Sequence, residues 1–303
     1  MSRYITTFSV PNHEQFRDLM EDAFKFEHKY SYTQMPFFQN GPESYPMWLF
    51  PTPLTFEFSP VTIFYGGNGS GKSTILNLIA EKMKIGRRAA INTSTFFKVF
   101  AEHCGISTHS DFDDINHRCD IISSDDVFRH CFELREKNKE LSSRQFSLIQ
   151  QQRDFRNGKK VKNLHGLDDF ERYRKECNLR KNSFSKCLDQ YVGHTFKPSS
   201  NGETALQFFT SAIDSAGLYL LDEPENSMSP AFQLKLLDFL QTSAMYLGMQ
   251  FIIATHSPLI LGMEGATIYN LDLEGAPQCK WSELENIQIL HSFFKERENE
   301  FEE

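Results

Sequence analysis

The sequence contains no run of about 18 apolar residues, the length that a membrane-spanning helix needs. Its first seven residues lack the basic stretch followed by an apolar core that marks a secretory signal. The six cysteines include no C-x-x-C pair, so their spacing matches no structural zinc site. These absences predict a cytoplasmic protein with reduced thiols, without a membrane partner and without a zinc centre.

Other patterns that would define a function are also missing. The sequence shows no internal repeat and no nuclease motif, so any cleavage activity is expected to belong to a partner. Sustained heptads are missing as well, which argues against a long coiled coil. With 303 residues, 40% of them hydrophobic and 24% charged, the composition is that of an ordinary globular protein with one large or two modest domains.

The clearest positive signal is a phosphate-binding loop, GGNGSGKST, at residues 66–74. It follows a strand-like apolar run at 61–65 and precedes a helical pattern at 75–80, which is the order of elements that such a loop requires. Glycines let backbone N–H groups approach phosphate oxygens, Lys72 adds a charge for the β- and γ-phosphates, and the Ser73 hydroxyl can ligate magnesium. The motif therefore predicts a bound nucleoside triphosphate with Mg²⁺. The candidate nucleotide-binding residues are Gly66, Gly67, Asn68, Gly69, Ser70, Gly71, Lys72, Ser73 and Thr74.

A second signal is an apolar strand-like run at 218–221 that ends in two acids, Asp222 and Glu223, before Pro224. The carboxyl ends of parallel strands are where α/β sheets place their ligands. Asp222 is thus a candidate for the magnesium shell, and Glu223 is the candidate that polarises the attacking water. The alternative is a strand that simply ends in solvated acids.

Two further stretches point to the same site. The strand-like run at 251–254 is followed by His256, which could donate a hydrogen bond to the γ-phosphate or relay a proton. Ser200, Gly202 and Glu203 precede a helical pattern at 205–209, where a helix N-terminus would favour an anion. A structural histidine and an ordinary helix cap are the alternatives.

In this order, the motifs resemble those of the ABC-type ATPase class. The matching stretches are Walker A (66–74), the signature SNGE (200–203), Walker B with LYLLDEPE (218–225), the D-loop (227–230) and the switch histidine in THSP (255–258). More narrowly, the chain is similar to short, stand-alone bacterial AAA/ABC-like ATPases. The resemblance implies an α/β P-loop NTPase with an ABC-ATPase-like sheet flanked by helices and an inserted, mainly helical lobe.

The resemblance also implies roles and cofactors, namely ATP and Mg²⁺. It makes Glu223 the catalytic base, His256 the γ-phosphate switch, and Ser73 and Asp222 the magnesium residues. Ser200 and Gly202 would touch ATP bound to a second subunit, so the resemblance implies a homodimer with two ATP molecules between the chains.

The chain departs from the class at several positions. Ser199 and Asn201 flank Ser200 where the usual signature has leucine and glycine. No glutamine loop is evident, and Asn92 is the candidate substitute. Tyr45 and Trp48 are the nearest upstream candidates for stacking on adenine.

The predicted organisation is an N-terminal part of the ATPase core (1–85), an inserted helical lobe (86–198) and a C-terminal part of the core (199–303). The first part is expected to contain a hairpin-like strand pair before the phosphate loop. The lobe is expected to contain helices at 126–139 and 167–187 around a polar linker at 150–162. Residues 129–186 carry sixteen basic and eight acidic side chains, a local charge of +8, whereas the rest of the chain carries −16. Such asymmetry favours an interaction surface.

These observations leave three functions open. The leading hypothesis is an ATPase that dimerises around Mg-ATP and couples hydrolysis to a protein effector, with phage defence or DNA maintenance as the setting. The second is an ATP-switched protein that binds nucleic acid through residues 129–186 without sequence preference. The third is a slowly hydrolysing sensor or scaffold for an effector.

Overall fold

The computed structural model describes residues 3–16, 18, 45–88, 93–94, 96–109, 118–158, 169–192 and 200–301. The chain divides into two compact units, the first formed by Met1–Val127 with Asn201–Glu303 and the second by Phe128–Ser200. Within the described ranges, no helix is long and apolar enough to cross a membrane.

Strands and helices alternate along much of the described chain. The strands are β1 (Ile5–Val10), β2 (Leu54–Glu57), β3 (Val61–Tyr65), β4 (Gly105–Thr108), β5 (Arg118–Ser123), β6 (Gly217–Asp222), β7 (Gln250–Ala254), β8 (Thr267–Asn270) and β9 (Gln278–Cys279). The helices are α1 (Lys72–Lys82), α2 (Phe97–His103), α3 (Ser124–Arg156), α4 (Phe170–Lys181), α5 (Phe184–Tyr191), α6 (Asn201–Ala212), α7 (Pro230–Tyr246), α8 (Pro258–Leu261) and α9 (Glu285–Glu296). Short 3-10 helices cover Met47–Leu49, Trp281–Glu283 and Glu298–Phe301.

The first unit is built on a six-stranded sheet with the strand order β5-β6-β7-β3-β8-β9. Its first five strands run parallel, and β9 pairs with β8 in the antiparallel sense. Strands β3, β6 and β7 are buried at every position, as expected for central strands of a parallel sheet in an α/β protein. The strands predicted at 218–221, 251–254 and 267–271 are confirmed, each to within one residue. The predicted α/β fold with a parallel sheet is therefore confirmed.

A smaller antiparallel sheet has the order β2-β1-β4. The predicted hairpin of β2 and β3 is wrong, because β2 pairs with β1 and β3 lies between β7 and β8 in the larger sheet. The burial patterns give the physical reason. Strand β2 alternates between buried and exposed residues, which is the pattern of a strand with one face in solvent. All five residues of β3 are buried, which is the pattern of a central strand with a hydrogen-bonded neighbour on each side.

The core of the first unit is rich in phenylalanine. Phe56 of β2 packs edge to face against Phe64 of β3 and Tyr269 of β8, with ring centroids 4.9 and 5.0 Å apart. These contacts join the small sheet to the large one, and each such pair adds about 0.5–1.5 kcal/mol beyond the area that it buries. The sheet that carries the candidate site is thereby fixed from one side.

The second unit contains most of α3, together with α4 and α5. Leu148 and Phe155 of α3 pack with Leu179 and Cys187 in one buried cluster. Gln152, which is also buried, donates from Nε2 to the carbonyl oxygens of Leu179 and Asn182, at 3.3 and 2.9 Å. The polar linker predicted at 150–162 is therefore wrong for residues 150–156, which are helical, and residues 159–168 lie outside the described part of the chain.

The predicted helix at 167–187 is two helices. Helix α4 ends at Lys181, and α5 begins at Phe184 with Ser183 as its N-cap, whose side chain accepts a hydrogen bond from the backbone N–H of Lys186. A serine oxygen that satisfies a first-turn N–H favours a helix start, so the break has a local cause.

The structure also corrects the start of the insertion, predicted at residue 86. Helix α2 and strands β4 and β5 belong to the first unit, because β4 pairs with β1 and β5 pairs with β6. Phe97 and Phe100 of α2 are buried in the core of that unit. The separate helical unit is Phe128–Ser200.

Candidate nucleotide-binding site

The phosphate-binding loop connects β3 to α1 and depends on its glycines. Gly69 and Gly71 have φ angles of 85° and 93°, a left-handed conformation that side chains disfavour. A Cβ atom on Gly66 would lie 2.5 Å from the Ser70 Oγ and 2.9 Å from the Ser70 Cβ, so a side chain there would force Ser70 to shift. The loop is thus a narrow cradle of backbone groups, as phosphate binding requires.

Lys72 lies within this cradle and is almost fully buried. Its Nζ donates to the carbonyl oxygens of Gly66 and Gly67, at 2.7 and 2.9 Å. Burial lowers the pKa of the Lys72 ammonium, and the nearby carboxylates, with Glu223 the strongest, partly raise it. The Lys72 ammonium is therefore held over the loop by hydrogen bonds to two carbonyl oxygens, which phosphate oxygens could replace.

The first turn of α1 meets the end of β6 through Ser73 and Asp222. The Ser73 Oγ donates to the Asp222 Oδ1 at 2.8 Å. Burial raises the pKa of the Asp222 carboxyl, while the Ser73 hydrogen bond and the Arg87 guanidinium lower it in part. Magnesium prefers a small set of hard oxygen ligands completed by phosphate and water, so a hydroxyl and a carboxylate next to a phosphate cradle fit Mg²⁺. Among the described residues, no group of three His, Cys, Asp or Glu side chains could hold a metal without such help.

Glu223 and His256, predicted separately, are in direct contact. The His256 Nε2 lies 2.8 Å from the Glu223 Oε1, and its Nδ1 lies 3.2 Å from the Gly66 carbonyl oxygen. Both partners are acceptors when Glu223 is ionised, so both hydrogen bonds then require an imidazole with two protons. The contact places the candidate base and the candidate switch at the edge of the phosphate cradle.

The backbone of Glu223 is strained, with a φ angle of 49° for a non-glycine residue. Such a conformation costs about 1–3 kcal/mol and clusters at functional sites. The other carboxylate oxygen of Glu223 accepts from the Asn226 Nδ2 at 2.9 Å. Both oxygens of the candidate base are therefore held in place.

Glu225 organises the loop after β7. One of its oxygens, Oε1, accepts from the Thr255 Oγ1 at 2.6 Å and from the backbone N–H groups of His256 and Ser257 at 3.0 and 3.1 Å. This buried carboxylate fixes the position from which His256 extends. Sequence reasoning missed this role, although the acid stands two residues after Glu223 in the Walker B stretch.

Asp272 anchors the loop from the other side. Both of its carboxylate oxygens accept from the Gly67 backbone N–H, at 2.8 and 2.9 Å. This contact spans 205 residues of sequence, and no local pattern could have revealed it. A cleft of about 410 Å³ adjoins this point, with Phe50, Gly69 and Ser70 in its wall.

The signature residues lie at the start of α6. Ser200 precedes the helix, Gly202 is buried in its first turn, and Glu203 follows. A Cβ atom on Gly202 would lie 3.0 Å from the Phe232 ring and 3.3 Å from the Ser227 carbonyl oxygen. The predicted helix after the signature is confirmed. Gly202 allows this helix to pack closely on Ser227 of the D-loop, where a Cβ atom would make tight contacts.

The remaining sequence candidates have different surroundings. The Tyr45 hydroxyl lies 2.8 Å from the Thr74 Oγ1, and its ring stacks on Phe97 with centroids 6.0 Å apart. Trp48 is 59% exposed. Asn92, the candidate for the missing glutamine, lies outside the described residues.

The fold and the site define an α/β P-loop nucleotide-binding protein. Residues 51–226, more than half of the chain, match the family model described as "ABC transporter", and the chain belongs to this ATP-binding-cassette ATPase family. Residues 194–262 match a second model, described as "AAA domain, putative AbiEii toxin, Type IV TA system". No protein with a curated description matches the chain in sequence.

Solved ATP-binding cassettes share low sequence identity with the chain. The dimeric MJ0796 cassette in a post-hydrolysis state with ADP and Pi is 16% identical over 76% of this chain and 90% of that chain, with a TM-score of 0.35. The Smc head domain of Pyrococcus furiosus bound to the C-terminal domain of ScpA is 13% identical over 80% of this chain and 95% of that chain, also with a TM-score of 0.35. Overall similarity at this level supports no transfer of function.

Proposed function

We propose that the protein is a magnesium-dependent ATPase that dimerises around ATP and couples hydrolysis to a partner. The observation that carries the proposal is the contact of Glu223 with His256 at the edge of the phosphate cradle, beside the Ser73–Asp222 pair. A base, a hydrogen-bond donor and a magnesium-compatible oxygen pair converge there, as phosphoryl transfer requires.

Binding uses groups that are already in place. Lys72 exchanges the Gly66 and Gly67 carbonyls for phosphate oxygens, while the loop N–H groups surround the anion. Ser73 and Asp222 would hold Mg²⁺, which would supply positive charge to offset the negative charge of the bound phosphates. Trp48 is the better candidate for stacking on the base, because Tyr45 already packs on Phe97 and bonds Thr74.

Hydrolysis uses the contact between Glu223 and His256. In the structure, His256 and Asn226 hold the two oxygens of Glu223. When His256 turns its Nε2–H to the γ-phosphate, an oxygen of Glu223 becomes available for the proton of the attacking water. The water oxygen bonds to the γ-phosphorus as the bond to the bridging oxygen breaks, and Glu223 takes the proton.

The second copy of the chain supplies the signature. The start of α6 offers backbone N–H groups to an anion, and Gly202 holds that helix against the D-loop. We assign Ser200, Gly202 and Glu203 to the ATP bound by the other copy, in keeping with the ABC family to which the chain belongs. Two ATP molecules would thus bind between two chains.

The second unit is the candidate for partner binding. It exposes cations, among them Arg144, Arg153 and Arg156, and also large apolar side chains such as Phe132 and Phe146. A protein effector is the first candidate, in a defence or DNA-maintenance system. The match of residues 194–262 to a model linked with a toxin–antitoxin system supports this setting.

Nucleic acid is the second candidate partner. Exposed arginines with interspersed aromatic rings suit backbone binding without sequence preference. Lys159, Lys160 and Lys162, which belong to the same basic stretch, lie outside the described residues.

The proposal is tested by phosphate release from Mg-ATP with the wild type and Glu223→Gln. The amide cannot accept the proton, so release should fall by about 100-fold or more, while affinity for a fluorescent ATP derivative stays within about threefold. Glu264→Ala, an exposed acid outside the site, is the matched control. Release by Glu223→Gln at the wild-type rate would contradict the role of Glu223.

A further inference from the structure

A buried arginine lies beside the residues proposed to hold magnesium. The Arg87 Nη2 is 4.0 Å from the Asp222 Oδ2, and the Arg87 side chain is only 14% exposed. Two other donors of the guanidinium, Nε and Nη1, are buried without a hydrogen-bond partner. The binding and hydrolysis steps proposed above assign no role to this fixed positive charge and its open donors.

A buried acceptor is left open in the same region. Strand β5 lies next to β6, with Ser123 in register with Asp222, and Asp126 follows in the first turn of α3. The Asp126 Oδ2 accepts from the backbone N–H and the hydroxyl of Ser123, at 2.9 and 2.8 Å, whereas its Oδ1 is buried without a partner. Arg87 and Asp126 therefore have complementary open groups.

Both carboxylates act on Arg87. Burial lowers the pKa of the Arg87 guanidinium, while Asp222 and then Asp126 raise it. The Asp222 Oδ1 accepts a hydrogen bond from Ser73, so the Oδ2 is the oxygen that faces the Arg87 guanidinium. Without a metal ion, Asp222 is the nearer counter-charge.

Magnesium would change this balance. An ion held by Ser73 and Asp222 neutralises the carboxylate and repels the guanidinium beside it, and in a buried site such charge effects are strong. Asp126, with an unused oxygen, is then the remaining buried counter-charge. The Arg87 guanidinium can move from Asp222 to Asp126 by rotation about the bonds of its long side chain, without a shift of the backbone.

We propose that Arg87 is the positioning residue of the magnesium site, holding Asp222 before the ion binds and pairing with Asp126 afterwards. The inference rests on the proposed function, because it requires a magnesium nucleotide at Ser73 and Asp222. Asp126 belongs to α3, which begins in the first unit and continues into the second. The exchange of partners would therefore report the state of the nucleotide to the start of that helix.

The test is a titration of Mg²⁺ with a fluorescent, non-hydrolysable ATP analogue (mant-AMPPNP). Asp126→Asn removes the charge that receives Arg87, so Arg87 stays on Asp222 and competes with the ion. The Mg²⁺ concentration for half-maximal binding should rise about tenfold, and binding without Mg²⁺ should stay within about twofold. In an Arg87→Ala background, the same Asp126→Asn change should have less than about a twofold effect, because the competitor is gone.

Arg88→Ala is the matched control, since Arg88 is a neighbouring arginine that faces Asp120 instead, at 3.6 Å. Asp126→Asn that leaves the Mg²⁺ titration unchanged would overturn the inference. An equal effect of Asp126→Asn in both backgrounds would also overturn it, because Asp126 would then act without Arg87.

A second measurement needs no variant. In the wild type, Mg²⁺ with the analogue should slow hydrogen exchange of the backbone amides at 123–127, and the analogue with EDTA should not. Unchanged exchange at these amides would contradict the exchange of partners. A wild type that binds the analogue without any effect of Mg²⁺ would instead refute the proposed magnesium site, and with it this inference.

Discussion

Glu225 gives the most quantitative prediction of the structure. Its Oε1 accepts three hydrogen bonds, from the Thr255 hydroxyl and the N–H groups of His256 and Ser257, and Thr255 and Ser257 are buried. Glu225→Ala leaves the Thr255 hydroxyl and the His256 N–H without their acceptor, whereas the Ser257 N–H keeps its second acceptor, the Thr255 Oγ1 at 2.9 Å. Each buried, unpaired donor costs about 1–3 kcal/mol, and because water can enter part of the space we expect a total loss of about 4 kcal/mol in the free energy of unfolding.

Thermal and urea unfolding would measure this loss. For a unit of this size, 1 kcal/mol corresponds to about 2–4 °C, so the midpoint of the first unit should fall by about 10 °C. Phosphate release should fall as well, because the backbone N–H of His256 loses its anchor. Glu264→Ala is the control and should stay within about 0.5 kcal/mol of the wild type, since this acid is exposed. A loss below about 1 kcal/mol for Glu225→Ala would refute the view that Glu225 fixes the loop.

Three further predictions concern the phosphate loop and one thiol. Lys72→Ala should weaken binding of mant-ATP at least about tenfold, whereas Lys82→Ala, at the far end of α1, should not; equal effects would contradict the role of Lys72. Gly71→Ala should destabilise the loop by about 1–2 kcal/mol because the residue has a φ angle of 93°. The control Gly86→Ala, in open space, should be neutral by thermal unfolding. A neutral Gly71→Ala would contradict the loop geometry. Burial raises the pKa of the Cys104 thiol to about 12, so Cys104 should resist alkylation by iodoacetamide in the native protein at pH 8. Peptide mass spectrometry would detect the modification, and rapid alkylation would contradict the burial of this thiol.

The parts of the structure that the sequence predicts are those with local causes. The phosphate loop needs a strand, glycines and a helix in direct succession, and all three stand within residues 61–82. Strands β6 and β7 are short apolar runs that end in polar residues, which is the pattern of a buried parallel strand. Their acids and histidine follow at the carboxyl ends, where ligands bind in α/β sheets.

The parts that it did not predict depend on distant partners. Strand β2 pairs with β1 across more than forty residues, so its closeness to β3 in sequence suggested a hairpin that does not form. The role of Asp272 comes from its contact with Gly67, and that of Arg87 comes from the burial of its guanidinium beside Asp222. Neither residue belongs to a motif. The length of α3 was underestimated because its inner face, with Leu148, Gln152 and Phe155, includes a polar residue.

The most direct test of the account is the mass of Glu223→Gln in solution, by light scattering, with and without Mg-ATP. This variant should bind ATP without turning it over, and its mass should rise from that of a 35.2 kDa monomer to twice that value only when Mg-ATP is present. The double variant with Lys72→Ala should stay a monomer, since it lacks the phosphate contact. A mass that stays at one chain while mant-ATP binding shows an occupied site would contradict the ATP-dependent dimer.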